Sequence, residues 1–143
     1  MNKTMFITIV LAGELFAPSF IQAQGTLEVS NLGQTPTGSA FIGSDAWIAQ
    51  EIVTGNDFGG YTLNSIQLLM NPASGSPGGF DVSIYSSISY KPYYNLGNLV
   101  GSDPSAGGIF TYTTSGITLL PLTDYFIILT AATPVAQGTY DWR

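Results

Sequence analysis

The sequence predicts an all-β domain, a β-sandwich of jelly-roll type, preceded by a signal-peptide helix. Three observations carry that prediction. Val, Ile, Thr, Tyr and Phe are abundant while charged residues make up only 8% of the chain. Helices in water rely on long charged side chains for their exposed faces, whereas strands present Thr, Ser, Asn and Tyr outward. Beyond residue 24 no segment repeats apolar residues at i, i+3, i+4 and i+7 over a helical length. Instead, short alternating runs recur between Gly, Pro and Asn turns, as they do in sandwiches.

The chain of 143 residues fits one domain behind a leader. Lys3 supplies a positive start, Met5 to Ala12 an apolar core, Pro18 a break, and Ile21-Gln22-Ala23 a small residue at a cleavage position. That order is the pattern of a secretory signal peptide. Residues 1–23 are therefore expected to be removed, leaving a domain over 24–143 that is secreted or held at the cell surface. Glu14 and the bulky Ile21 are departures from the ideal pattern. The apolar run is shorter than the roughly 20 residues that cross a bilayer. No later stretch reaches that length without a turn residue, so the mature chain is expected to insert into no membrane.

Strands are expected in order. Leu27 to Asn31 alternates and stops before Gly33; Ala40-Phe41-Ile42 is short, between Gly38 and Gly43. Trp47 to Val53 stops at Thr54-Gly55-Asn56-Asp57, and Tyr61 to Met70 stops at Asn71-Pro72. In Phe80 to Ser86, Phe80, Val82 and Ile84 share one face and Asp81, Ser83 and Tyr85 the other. Ile109 to Thr113 and Gly116 to Leu120 read as a pair around Thr114-Ser115-Gly116. Tyr125 to Ala131 is nearly continuous apolar, as a central strand covered on both faces would be. Thr139 to Trp142 begins one more. The pairs Gly59-Gly60, Gly78-Gly79 and Gly107-Gly108 punctuate strand entries at unequal spacing, which is not a repeat array. An immunoglobulin-like sandwich is the alternative, without the Cys–Trp–Cys pattern of antibody domains.

Composition excludes several functions. Three basic residues face nine acidic ones, for a net charge of −6, and only Lys91 and Arg143 are basic after the leader. Nucleic acid, which needs several cations to displace counterions, is excluded as a partner. So is a polybasic lipid patch. The absence of Cys removes disulfides and thiol chemistry, and favours a bacterial exported domain over an animal one. With no His either, a Ser–His–Asp or Cys–His arrangement is impossible.

Carboxylates remain. Asp45, Asp57, Asp103 and Asp124 stand beside turn residues, where Asp ordinarily bonds its own backbone. Glu28, Glu51 and Asp81 lie in expected strands, but nothing places two of them across a sugar cleft as glycoside hydrolysis requires. Calcium would look for Asn56-Asp57 or Asp103. Without an Asp-x-Asp-x-Asp spacing, aspartates in metal-free turns are the favoured reading. The chain is expected to be no enzyme and to need no cofactor.

Aromatic residues offer a binding hypothesis. Tyr85, Tyr90, Tyr93 and Tyr94 gather around Ser86 to Tyr94. Exposed rings stack on sugars, since both present flat apolar faces, and Tyr90, Tyr93 and Tyr94 are the candidate glycan-stacking residues. The plainer alternative is a loop packed on the sandwich by its own side chains. Trp47 and Trp142 are expected in the core or at its rim.

Five segments taken together resemble a known family: Trp47 to Gly55, Tyr61 to Leu68, Phe80 to Tyr85, Leu119 to Ile127, and Gly138 to Trp142. Their order is similar to the choice-of-anchor R domain of bacterial exported proteins of the PEP-CTERM sorting type, over about residues 28–142. The resemblance implies an extracellular β-sandwich of undefined biochemical role, displayed on the cell surface or in the extracellular matrix, and carries over no catalytic residue. The leader, the β pattern and the empty catalytic inventory together point to a structural or interaction role, with a carbohydrate-binding module as the alternative and extracellular polysaccharide or other surface proteins as the expected partners. Such proteins continue into a Pro-Glu-Pro motif, an apolar helix and a basic tail, whereas this sequence stops at Arg143. A stop inside an expected strand favours truncation, which would leave a strand edge unpaired.

Overall fold

A computed structural model describes residues 25–30, 32 and 38–143, with the backbone alone for 25–30. The leader expected over 1–23 lies outside them. The described residues form nine strands: β1 (Gly25–Ser30), β2 (Ala40–Ile42), β3 (Ile48–Val53), β4 (Tyr61–Gly75), β5 (Asp81–Ile88), β6 (Lys91–Leu99), β7 (Gly108–Leu119), β8 (Asp124–Thr130) and β9 (Gly138–Trp142).

Their pairing is that of one long antiparallel ribbon rolled up. β5 and β6 make the hairpin at its closed end. Outward from there β4 pairs β7, β3 pairs β8 and β2 pairs β9, all antiparallel. Rolling brings β4 against β9 and β5 against β8 as well. The ribbon is thereby divided into β2-β9-β4-β7 and β3-β8-β5-β6. Two nested Greek keys in two sheets are a jelly roll, so the expected architecture is present and the immunoglobulin-like alternative is not. β1 joins the first half of β4 in parallel and makes its sheet five-stranded. β9 is paired on both sides, to β4 and to β2.

The core lies between the sheets. Leu63, Ile66, Leu68 and Met70 of β4 and Tyr112 and Leu119 of β7 meet Val82, Ile84, Tyr125, Ile127 and Leu129 of the other sheet. Val82 and Ile84 are inside, as the alternation of that segment demands. β8 is buried from Tyr125 through Leu129. Its outward members sit between neighbours in register: Phe126 between Glu51 and Tyr85, and Ile128 between Ala49 and Ser83.

Three expectations are corrected. Ile109–Thr113 and Gly116–Leu120 are not two strands but the single β7. Thr114-Ser115-Gly116 is a bulge opposite Asn64, between the Leu63–Ile117 and Ser65–Thr113 pairs. Gly116 takes φ +101° there, which glycine tolerates. The inward residues change phase on both strands at that point, from Leu63 to Ile66 and from Tyr112 to Leu119, and this phase break mimics a turn. β4 also runs past Asn71-Pro72 to Gly75. Pro72 fits because the ladder with β9 is itself irregular between Asn71 and Ser74, so no pair there needs its missing N–H. Lastly, the stretch after Tyr90 is not a loop but β6. It is an edge strand, irregular in its pairing with β5, and Lys91, Pro92 and that irregularity blunt its free side.

Candidate functional site

The loops β3–β4, β5–β6 and β7–β8 come together at one end of the sandwich. Thr54, buried at the end of β3, fastens two of them. Its hydroxyl donates to the Leu120 carbonyl (2.6 Å) and accepts from the Thr123 amide (2.9 Å), and its own amide donates to the Thr123 carbonyl (3.1 Å). The Leu122 amide adds a bond to the Gly55 carbonyl (2.8 Å). The Tyr125 hydroxyl accepts the Leu120 amide (2.8 Å). That last bond ties β8 back to the turn five residues upstream, in the manner of a tyrosine corner.

The turns themselves are strained. Ile88 pairs with Lys91, so Ser89-Tyr90 is a two-residue hairpin turn, and both residues have positive φ, 50° and 58°. This is the type I′ geometry for which Asn-Gly is the usual choice. Leu122 follows Pro121 with φ 48°, at the position of a type II turn that favours glycine. Left-handed backbone costs a residue bearing Cβ about 1 kcal/mol or more. Ser89, Tyr90 and Leu122 are the non-glycine residues with positive φ among those described, and all three line the same cleft.

That cleft has a volume of about 260 Å³ and is bounded by Ser87, Ser89, Tyr90, Leu122, Thr123 and Asp124. The Thr123 hydroxyl is engaged by the Pro121 carbonyl (2.8 Å). The side chains of Ser87, Ser89, Tyr90 and Asp124 have no hydrogen-bond partner among the described residues. Asp124 is the one carboxylate in the lining. It departs from the expectation that turn aspartates bond their own backbone. Only Asp57 does so, accepting the Gly59 amide (2.9 Å). Asp45 reaches the Val135 amide (2.9 Å), and Asp103 holds the Gly79 (3.0 Å) and Phe80 (3.2 Å) amides of another loop. Among the described residues, no three acidic side chains gather where a metal ion could sit. Glu28 and Glu51 belong to strands of different sheets.

Of the candidate stacking residues, Tyr90 lines the cleft and is 79% exposed. Tyr93 and Tyr94 are exposed on β6 outside that lining, so the three are not brought into one wall. The Tyr94 amide donates to the Ser86 hydroxyl (3.2 Å). Trp142 packs partly buried against the core, and Trp47 is an exposed rim residue whose indole donates to the Ser44 carbonyl (3.0 Å). The cleft members missed from sequence are Ser87, Ser89, Leu122, Thr123 and Asp124. One signal was available: Ser-Tyr and Pro-Leu stand where turn chemistry asks for Asn-Gly and Pro-Gly.

The chain matches no family model, no curated protein and no solved structure.

Proposed function

We propose that the chain is an exported or cell-surface interaction domain without catalytic activity, and that it recognises saccharide through the Tyr90 cleft. The observation that carries this reading is the convergence of strain and unspent polarity. Three strained residues surround a cleft whose Ser87 and Ser89 hydroxyls and Asp124 carboxylate are free to bond. Backbone strain that the surrounding structure holds in place clusters at functional sites. A sugar ring presents an apolar face for Tyr90 and hydroxyls that the carboxylate can accept, and hydrogen bonds to a charged acceptor are the stronger kind. A lone carboxylate supports binding rather than hydrolysis, which takes two. Export and surface display rest on the leader pattern and on the resemblance to choice-of-anchor domains. Tyr93 and Tyr94, exposed on an edge strand, suit a second contact with polysaccharide or with another surface protein.

The test is binding of the mature chain to a glycan array and to insoluble polysaccharides. Retention that Tyr90→Ala or Asp124→Ala abolishes supports the reading, and no retention on any polysaccharide overturns it. Loss on Tyr93→Ala and Tyr94→Ala alone would move the site to the edge strand.

A further inference from the structure

We propose that this loop end docks on a membrane displaying neutral glycolipid, with the sugar headgroup in the Tyr90 cleft and the loop tips at the boundary between headgroups and acyl chains. The proposal rests on the saccharide reading of the cleft. Its own evidence is the surface around it. Val53 and Phe58 from β3–β4, Ile88 and Tyr90 from the hairpin, and Leu120 and Leu122 from β7–β8 are each more than half exposed. Phe58 is 95% exposed, so folding gains almost nothing from it. A tight turn, closed by the Gly60 amide on the Asp57 carbonyl (2.9 Å), holds it out.

Four of these six side chains are aliphatic and have no flat face to stack on a sugar. Acyl chains would take them out of water. Leu120 and Leu122 stand in the β7–β8 loop, and Val53 and Ile88 at the strand ends that enter the other two loops; acyl chains conform to such an uneven surface, where a protein partner would need a matching hollow. Tyrosine beside them is suited to the headgroup level. Charge selects the lipid. Asp57 and Asp124 lie at this end, and among the described residues Lys91 is its one cation. Anionic headgroups are therefore repelled rather than attracted. Docking of this kind lies on the bilayer and spans nothing. Among the described residues no helix is long and apolar enough to cross a membrane.

The experiment compares sedimentation of the mature chain with phosphatidylcholine vesicles, the same vesicles carrying glucosyl or galactosyl diacylglycerol, and vesicles carrying phosphatidylglycerol. Binding of soluble methyl glucoside and methyl galactoside is measured in parallel. Binding to the glycolipid vesicles is expected to exceed that to the other two. Phe58→Ser and Val53→Ser should each weaken it about tenfold, the value of withdrawing one large apolar side chain, and leave soluble-sugar affinity unchanged. Soluble-sugar binding without vesicle binding overturns this proposal and leaves the saccharide reading standing. So does vesicle binding that both serine variants leave intact. Equal binding to plain phosphatidylcholine overturns it too, by showing lipid contact without headgroup recognition. Failure to bind either soluble sugar counts against the saccharide reading itself.

Discussion

The hydroxyl of Tyr140 donates to the Asp103 carboxylate at 2.9 Å, across 37 residues of sequence. Tyr140 is buried on β9, and Asp103 lies in the β6–β7 loop. The same carboxylate holds the Gly79 and Phe80 amides. Phe80 in turn sets its ring against Tyr140 (centroids 5.0 Å apart) and Tyr112 (5.6 Å). One aspartate thus joins the last strand, the entry to β5 and the loop before β7.

Asp103→Ala should destabilise the domain by about 2 kcal/mol or more, because it strands a phenol and two amides at once. Asp103→Asn keeps one acceptor oxygen and should lose less. Denaturant midpoints of the two variants check the order.

Alkaline pH should unfold the domain through this cluster. Burial, then the Asp103 charge, pushes the Tyr112 phenol up. Burial, then the Asp103 hydrogen bond, does the same for Tyr140. Above the ordinary phenol value of about 10 the unfolded chain ionises first and binds fewer protons than the native one, so stability falls as pH rises. The contribution is present in full below about pH 10 and is lost as pH climbs toward the raised native values. Tyr112→Phe and Tyr140→Phe should flatten that slope in melts recorded from pH 8 to about 12.

Thr54→Val keeps shape but removes the hydroxyl that serves Leu120 and Thr123. The expected loss is about 2 kcal/mol, with the partners left unpaired. Because Thr123 also lines the cleft, saccharide affinity should fall in the same variant. Thr54→Ser should restore both, as read by melting and by titration.

Ser89→Asn with Tyr90→Gly should stabilise the domain by about 1 kcal/mol, since it installs the residues a type I′ turn prefers. The same double variant should abolish saccharide binding. Gained stability with unchanged binding, in paired melting and binding assays, would remove Tyr90 from the site.

Much of the fold was legible because burial leaves a period-two trace. Phe80 to Tyr85 and Tyr125 to Leu129 show their strands openly, one alternating and one buried throughout. β7 was divided in two because its bulge shifts the phase at Thr114–Gly116, which the sequence cannot tell from a turn. β6 was missed because an edge strand has only one partner and carries Pro92, Asn95 and Gly97 to blunt it. The cleft was legible only at Tyr90, the one member whose residue type names its chemistry.

The sequence by itself determined the all-β class, the near absence of cations and the lack of His and Cys. These are matters of residue type and local period, which need no long-range partner. Tertiary structure decided the ribbon's roll, and with it which loops share an end. Residues 54, 88–90 and 120–124 meet because β3 pairs β8 and β5 pairs β8, and long-range pairing leaves no local mark. It also decided that Asp103 clamps distant strands while Asp124 stays free, since identical turn aspartates differ only in what the fold brings to them.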